Sequence, residues 1–263
     1  MYNFDVEMPS TVADAVKAMA RDEAQPMSGG QTLIPTLKAR LAAPSVLVSL
    51  TGIDEMKGVC MDDAGRLCIG GATTHARVAA EAAAHYPALA SLAARIGDPA
   101  VRNRGTIGGS IANNDPSACY PAGALGSGAT ITTNKREIAA DDYFQGMFET
   151  ALEEGEIVTE VKFPVPTAAH YEKFLQPASR FPLVAAFVAK FEDGVRVAIT
   201  GASNNGVFRW GEAEAALGAN FAADAVAGLA VDATDMISDL HGTAEYRAHL
   251  IGVMTKRAVA AII

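Results

Sequence analysis

Cysteine is scarce in this sequence: Cys60, Cys68 and Cys119 stand alone among 263 residues. The number is odd and no CxxC pair occurs, which argues against a disulfide framework or a cysteine-rich metal site. Reduced, buried thiols in a cytoplasmic protein are the expectation. Histidine is thin too. His75, His85, His170, His241 and His249 form no HxH or HxxxH pair, so no metal site is expected. No block of lysine and arginine occurs, and the formal net charge is −9. Nucleic acid and anionic membrane surfaces are therefore poor partners. The longest apolar stretch, FPLVAAFVAKF from Phe181, is far short of a membrane span. The opening MYNFDVEMPS lacks the basic-then-apolar order of a signal peptide. Both common nucleotide signatures, GxGxxG after a strand and GxxxxGK[ST], are missing. So are GxSxG and any defensible Ser/His/Asp set, and no catalytic residue is assigned.

What is present reads as a soluble α+β chain. Half of the residues are hydrophobic (50%) and 19% are charged, with length enough for two domains. Residues 1 to about 55 form one α/β unit. TVADAVKAMA is helical with Val12, Val16 and Met19 on one face, capped by Ser10 or Thr11. SVLVSL is an unbroken apolar run, expected to be a strand buried on both faces. Residues 56 to about 165 form a second unit. A strand ends at Gly70-Gly71, Thr73 or Thr74 caps a helix, and Pro87 starts another. A polar, glycine-rich stretch follows, irregular except for a short helix over Ser117–Leu125. ATITT and REIAA make a hairpin around Asn134-Lys135, and EIVTEVKFPVP alternates as a strand. The Pro-rich FPVPT marks a break near 165. Residues 166–263 begin with strands AHYEKFLQ, LVAAFVAKF and VRVAITGAS, the last two joined at Glu192-Asp193-Gly194. EAEAALG and TAEYRAHLIGVMTKRAVAAI follow as helices, the latter with Tyr246, Leu250, Val253 and Met254 on its apolar face.

Two stretches carry chemistry. Ser28-Gly29-Gly30-Gln31-Thr32 opens an amphipathic helix whose Leu33, Leu37 and Leu41 recur at i, i+4 and i+8. Pro35 fits in its first turn. The glycines allow close backbone approach, and the amides of Gly30, Gln31 and Thr32 have no helical partner. That makes a seat for phosphate, although an ordinary capped helix has the same pattern. The second stretch is Thr106-Ile107-Gly108-Gly109-Ser110, followed by Asn113, Asn114 and Asp115, with Arg102 and Arg104 upstream. Its glycines, hydroxyls and amides suit a pyrophosphate or polyol. Two such cradles together, with no triad or metal set nearby, favour a dinucleotide. His75 follows the Gly70-Gly71 turn and is assigned to the start of a helix.

These two stretches resemble one family. SGGQTLIPTLKARLAAPSVLVSL and GDPAVRNRGTIGGSIANNDPSACYPA are similar, in that order, to the FAD-binding medium subunit of the molybdenum hydroxylases, which include carbon monoxide dehydrogenase and xanthine dehydrogenase. The likeness spans the chain. It implies a two-subdomain FAD-binding domain of the vanillyl-alcohol oxidase (PCMH) type over residues 1–165, then a small α+β domain over 166–263. It implies FAD as cofactor, with the pyrophosphate held by Ser28, Gly29, Gly30, Gln31, Thr32 and Leu33 on one side. Thr106, Ile107, Gly108, Gly109 and Ser110 would hold it from the other. Asp115 would meet the ribose or ribityl chain; Ile157 or Val158, with Phe181, would lie near the ring, and Lys173 would stand in for a polar contact to FAD. Relatives often carry Asp where Cys119 stands, and Lys or Arg where Leu175 and Gln176 stand; these departures bear on polar contacts and on the acceptor. The resemblance further implies a large molybdopterin-binding subunit and a small [2Fe–2S] subunit, in a dimer of heterotrimers. Electrons would arrive from the clusters and leave through FAD to quinone, NAD or oxygen. A stand-alone FAD oxidoreductase of the same fold and a flavin-free scaffold are the rival readings.

Overall fold

The computed structural model describes all 263 residues, Met1–Ile263. Three sheets organise the chain. The first is parallel: β1 (Asp5–Glu7), β2 (Ala24–Met27) and β3 (Val46–Ser49) run in the order β1-β3-β2. VLVS takes the centre and is buried throughout, as an unbroken apolar run requires. The edge strands are short, and one carries Pro26, so neither shows the alternation that announces a strand. The Thr11 hydroxyl caps helix Val12–Met19 by accepting the Asp14 amide. Ala15 and Ala18 are the residues this helix buries, while the expected Val12, Val16 and Met19 are only partly covered.

The helix after the first glycine pair is shorter than its leucine spacing suggests. It covers Leu33–Lys38, and Arg40 follows with φ +60°. Leu37 is buried, but Leu41 lies past the helix end and is 79% exposed. Leu37 therefore fixes this helix on the core without Leu41.

The second sheet is antiparallel. Its strands are β4 (Val59–Met61), β5 (Leu67–Gly70), β6 (Thr130–Thr133) and β7 (Glu137–Ala139). A separate short hairpin, β8 (Phe144–Gly146) and β9 (Glu149–Thr150), precedes β10 (Val158–Phe163). The order is β4-β5-β10-β6-β7. Leu67, Ile69, Ile131, Val161 and Phe163 face one core with the helices Pro87–Ala94, Ile107–Asn113 and Tyr120–Ser127. Helix Ile107–Asn113 lies inside the stretch expected to be irregular. Thr106 caps it, and fully buried Ile107 and Ile111 anchor it despite its two glycines. The next helix begins at Tyr120 rather than Ser117 and ends at Gly128, whose φ is +64°.

The third sheet is a meander of β11 (Ala168–Leu175), β12 (Pro182–Lys190), β13 (Val195–Ser203) and β14 (Gly206–Arg209). β12 is buried at every residue but Lys190 because both of its faces are covered. Ala185, Phe187 and Ala189 join the core of the second sheet. Val184, Ala186 and Val188 pack under the long helix Ala244–Ile262. That helix buries Leu250, Ile251, Met254, Ala258 and Val259. Tyr246, expected on this face, is 43% exposed, and Val253 is half-buried. Arg247 turns inward instead. Its guanidinium donates to the Leu183 and Gly201 carbonyls at 2.7 and 2.6 Å and meets both Asp239 oxygens at 2.9 Å. No helix is long and apolar enough to cross a membrane.

Candidate functional site

The two glycine-rich loops meet. β2 delivers Ser28-Gly29-Gly30, and Gly30 takes φ +70°, a conformation open to glycine at little cost. A Cβ on Gly29 would stand 2.1 Å from the Arg104 carbonyl oxygen, and one on Gly108 would stand 2.6 Å from that of Gly71. Both glycines are therefore needed for backbone to lie against backbone. The expectation that each clears space for a ligand holds less directly: their first effect is to bring the loops together. The hydroxyls of Ser28 and Thr106 then hydrogen-bond across the junction at 2.7 Å. Thr106 Oγ1 also accepts the Gly109 amide at 3.2 Å.

Amides are shared unequally between the loops. From Ser28 to Leu33 no backbone N–H has an acceptor; the first partnered one is Ile34, which donates to Gly30. In the second loop Ile107 donates to Thr73, Gly108 to Gly71 and Ser110 to Thr106. The second loop thus contributes hydroxyls and glycine backbone, and the first contributes a row of unpaired donors. Successive unpaired N–H groups make an anion-binding concavity.

A groove of about 780 Å³ runs along this junction. Ser28, Gly29, Gly30, Gln31, Thr32 and Leu33 line it, with Thr106, Gly108, Gly109, Ser110, Asp115, Ile157, Val158 and Phe181. Two expected residues do not. Ile107 opens a helix and is packed into the core at 0% exposure. Lys173 points inward from β11 and is buried; its Nζ donates to the Arg95 carbonyl at 2.9 Å and lies 3.5 Å from Cys119 Sγ. Cys119 is likewise buried outside the groove, while Leu175 is exposed and Gln176 bonds His241 at 2.8 Å. The groove also takes Met56, Gly71, Glu156 and Asp239. None of these stands in a motif, and Asp239 arrives from a segment far along the chain.

Each lining carboxylate accepts at least one hydrogen bond from within the protein. Glu156 accepts from Arg136 Nε and Thr133 Oγ1 at 3.0 Å each and from the Glu153 amide at 2.7 Å. The Arg136 bond, foremost, lowers its carboxyl to about 2. Asn134 Oδ1 accepts the adjoining Ile157 amide at 2.7 Å, so the entry to β10 is held firmly against the groove. Asp115 Oδ1 accepts the Ser117 amide at 2.8 Å. His75 is the first residue of its helix, but Thr74 makes no side-chain cap there. The ring is buried against Tyr120 at 5.3 Å, and Nδ1 has no partner. Burial, aided by the charge of Arg102, lowers its pKa to about 4, so the ring is neutral near pH 7.

The profile described as "FAD binding domain in molybdopterin dehydrogenase" matches residues 2–166. The carbon monoxide dehydrogenase medium chain of Afipia carboxidovorans is 35% identical over 98% of this chain and 96% of its own. The nicotine 6-hydroxylase medium subunit of Paenarthrobacter nicotinovorans is 31% identical over 95% and 94%. Among solved structures, a chain of the Cu,Mo-CO dehydrogenase superposes with a TM-score of 0.90 at 33% identity, covering 100% of this chain and 98% of that one. The chain belongs to the FAD-binding medium subunits of the molybdenum hydroxylases, and it is an oxidoreductase subunit with a PCMH-type FAD-binding domain. The residues present fit that cofactor: an unpaired amide row suits its phosphates, and the apolar Ile157, Val158 and Phe181 suit its ring.

Proposed function

We propose that this chain is the electron-transfer subunit of a heterotrimeric molybdenum hydroxylase, working with a large molybdopterin subunit and a small [2Fe–2S] subunit. Bound FAD would supply the exchange between the clusters' single electrons and an external acceptor: quinone, NAD or oxygen. The chain's own part is to hold and orient that cofactor. The amides of Ser28–Leu33 bind the pyrophosphate, the Thr106–Ser110 loop closes over it, and Asp115 meets the ribose or ribityl chain. Ile157 and Val158, held by Glu156 and Asn134, flank the ring, with Phe181 from the third sheet. The observation that carries this reading is the unbroken row of unpaired amides from Ser28 to Leu33, set against the second loop.

Of the lining carboxylates, Glu156 and Asp239 are held in ion pairs with Arg136 and Arg247, which favours relay over a stand-alone oxidase. Few, scattered cysteines agree with a cytoplasmic site, and the assembly we propose is a dimer of heterotrimers. Purification from the native source tests the proposal. Two companion subunits, one carrying [2Fe–2S], and stoichiometric FAD released on denaturation are expected. A chain that purifies alone and colourless, and takes up no added FAD, contradicts it.

A further inference from the structure

β4 is the edge strand of the second sheet, and its register sets Cys60 directly opposite Cys68 on β5. Residues opposite one another on antiparallel strands project from the same face. The Gly70 amide donates to Gly58 and the Asp62 amide to Arg66, each at 3.0 Å. Cys60 and Cys68 lie midway between these rungs, two residues from each, and so occupy a hydrogen-bonded pair. At such a pair the Cα atoms are about 5.5 Å apart. A disulfide spans about 4.4–6.8 Å between Cα atoms and brings its Cβ atoms to about 3.5–4.5 Å, so closure draws the edge strand β4 towards β5.

The shared face is the outer one. Leu67 and Ile69, on either side of Cys68, point into the core of the second sheet, whereas Cys68 joins none of the three cores. The next rung beside Cys68 is Lys162 of β10. Its charged neighbours on this face are Lys162, Glu160, Asp62 and Arg66. Cys60 is exposed, both thiols are free, and neither lines the groove.

We propose that Cys60 and Cys68 are a modification site: a dithiol that closes to a cross-strand disulfide, with a low-molecular-weight disulfide as oxidant. The Cys60 thiolate attacks one sulfur of the small disulfide. That S–S bond breaks and one small thiolate leaves. The Cys68 thiolate then attacks Cys60 Sγ, the mixed disulfide breaks, and the second small thiolate leaves. The two protons given up by the cysteines end on the two small thiols. The protein loses two electrons, and the small disulfide gains them. Burial pushes the Cys68 thiol up to about 11. That sets the order: exposed Cys60 meets the oxidant, and Cys68 reacts only with the sulfur already beside it. The bond would tie the edge of the sheet to β5, whose far end runs through Gly70 to Gly71 in the groove.

The full chain is incubated with glutathione disulfide, its remaining thiols are alkylated under denaturing conditions, and it is digested with trypsin. Cleavage after Arg66 separates Gly58–Arg66 from Leu67–Arg77. The expected product is these two peptides joined, lighter by two hydrogens than their sum and separated by reductant, with Cys119 alkylated. Cys68→Ser should stop at a glutathione adduct on Cys60. Wild-type protein that keeps glutathione on Cys60 with Cys68 alkylated, or that leaves both thiols alkylated, overturns the proposal.

Discussion

The hydroxyls of Ser28 and Thr106 lie 2.7 Å apart, although 78 residues separate them in the chain. This bond joins the two glycine loops where the groove passes between them. Thr106 also caps its own helix through the Gly109 amide. Thr106→Ala should therefore cost about 1–2 kcal/mol of unfolding free energy, and Ser28→Ala about half of that. In denaturant titrations the double variant should lose less than the sum, since both single changes break one shared bond. Strict additivity would show that the hydroxyls do not interact.

Gly29 has no room for a side chain. A methyl group there would lie 2.1 Å from the Arg104 carbonyl oxygen, in backbone that cannot swing aside. Gly29→Ala should push the loops apart and lower FAD retention at least tenfold, read as flavin absorbance per purified chain. Stoichiometric flavin in a folded variant would sink this view of the junction. Gly58→Ala is the control: its Cβ meets nothing within 4 Å, though its φ of +120° makes a modest stability loss expected.

His75 gives the fold an acid sensitivity with a defined window. Its folded pKa, about 4, lies below the ordinary 6.5, so the unfolded chain binds the proton more readily. Stability is fully present above about pH 6.5 and falls as pH drops towards 4, by about 3 kcal/mol. Glu156 adds a lower window, since its folded value of about 2 lies below the ordinary 4.5. Thermal melts of His75→Phe should lose the slope between pH 6.5 and 4 and keep the one below. An unchanged slope in that variant would assign the sensitivity elsewhere.

Cys119→Asp should leave FAD affinity unchanged. The residue lies outside the groove, with the Lys173 ammonium 3.5 Å from its sulfur. A carboxylate there would meet that buried cation, so the variant should melt no lower than wild type. Titration of FAD into the stripped protein, with a melt of each form, checks both statements. A marked loss of affinity would place Cys119 among the cofactor contacts.

The loops were legible because glycine pairs beside Ser and Thr are local signals, and the sheet strands because their periodicity is local. What sequence could not show is how neighbours constrain them. Gly29 reads as ligand clearance until Arg104 is found against it. Leu41 reads as core until Arg40 turns the chain. Lys173 reads as a polar contact to FAD until β11 points it inward, towards Cys119. Glu156, Met56 and Asp239 reach the groove through packing between sheets, and no local pattern marks a residue that arrives that way.

The amide row from Ser28 to Leu33 is tested most directly by hydrogen–deuterium exchange on the assembled complex, with FAD bound and after its removal. Peptides covering Gln25–Leu37 are compared with peptides from β12. Exchange at Ser28–Leu33 at least tenfold slower with FAD, and unchanged in β12, is the expected result. Equal exchange at Ser28–Leu33 in both states would contradict the clamp.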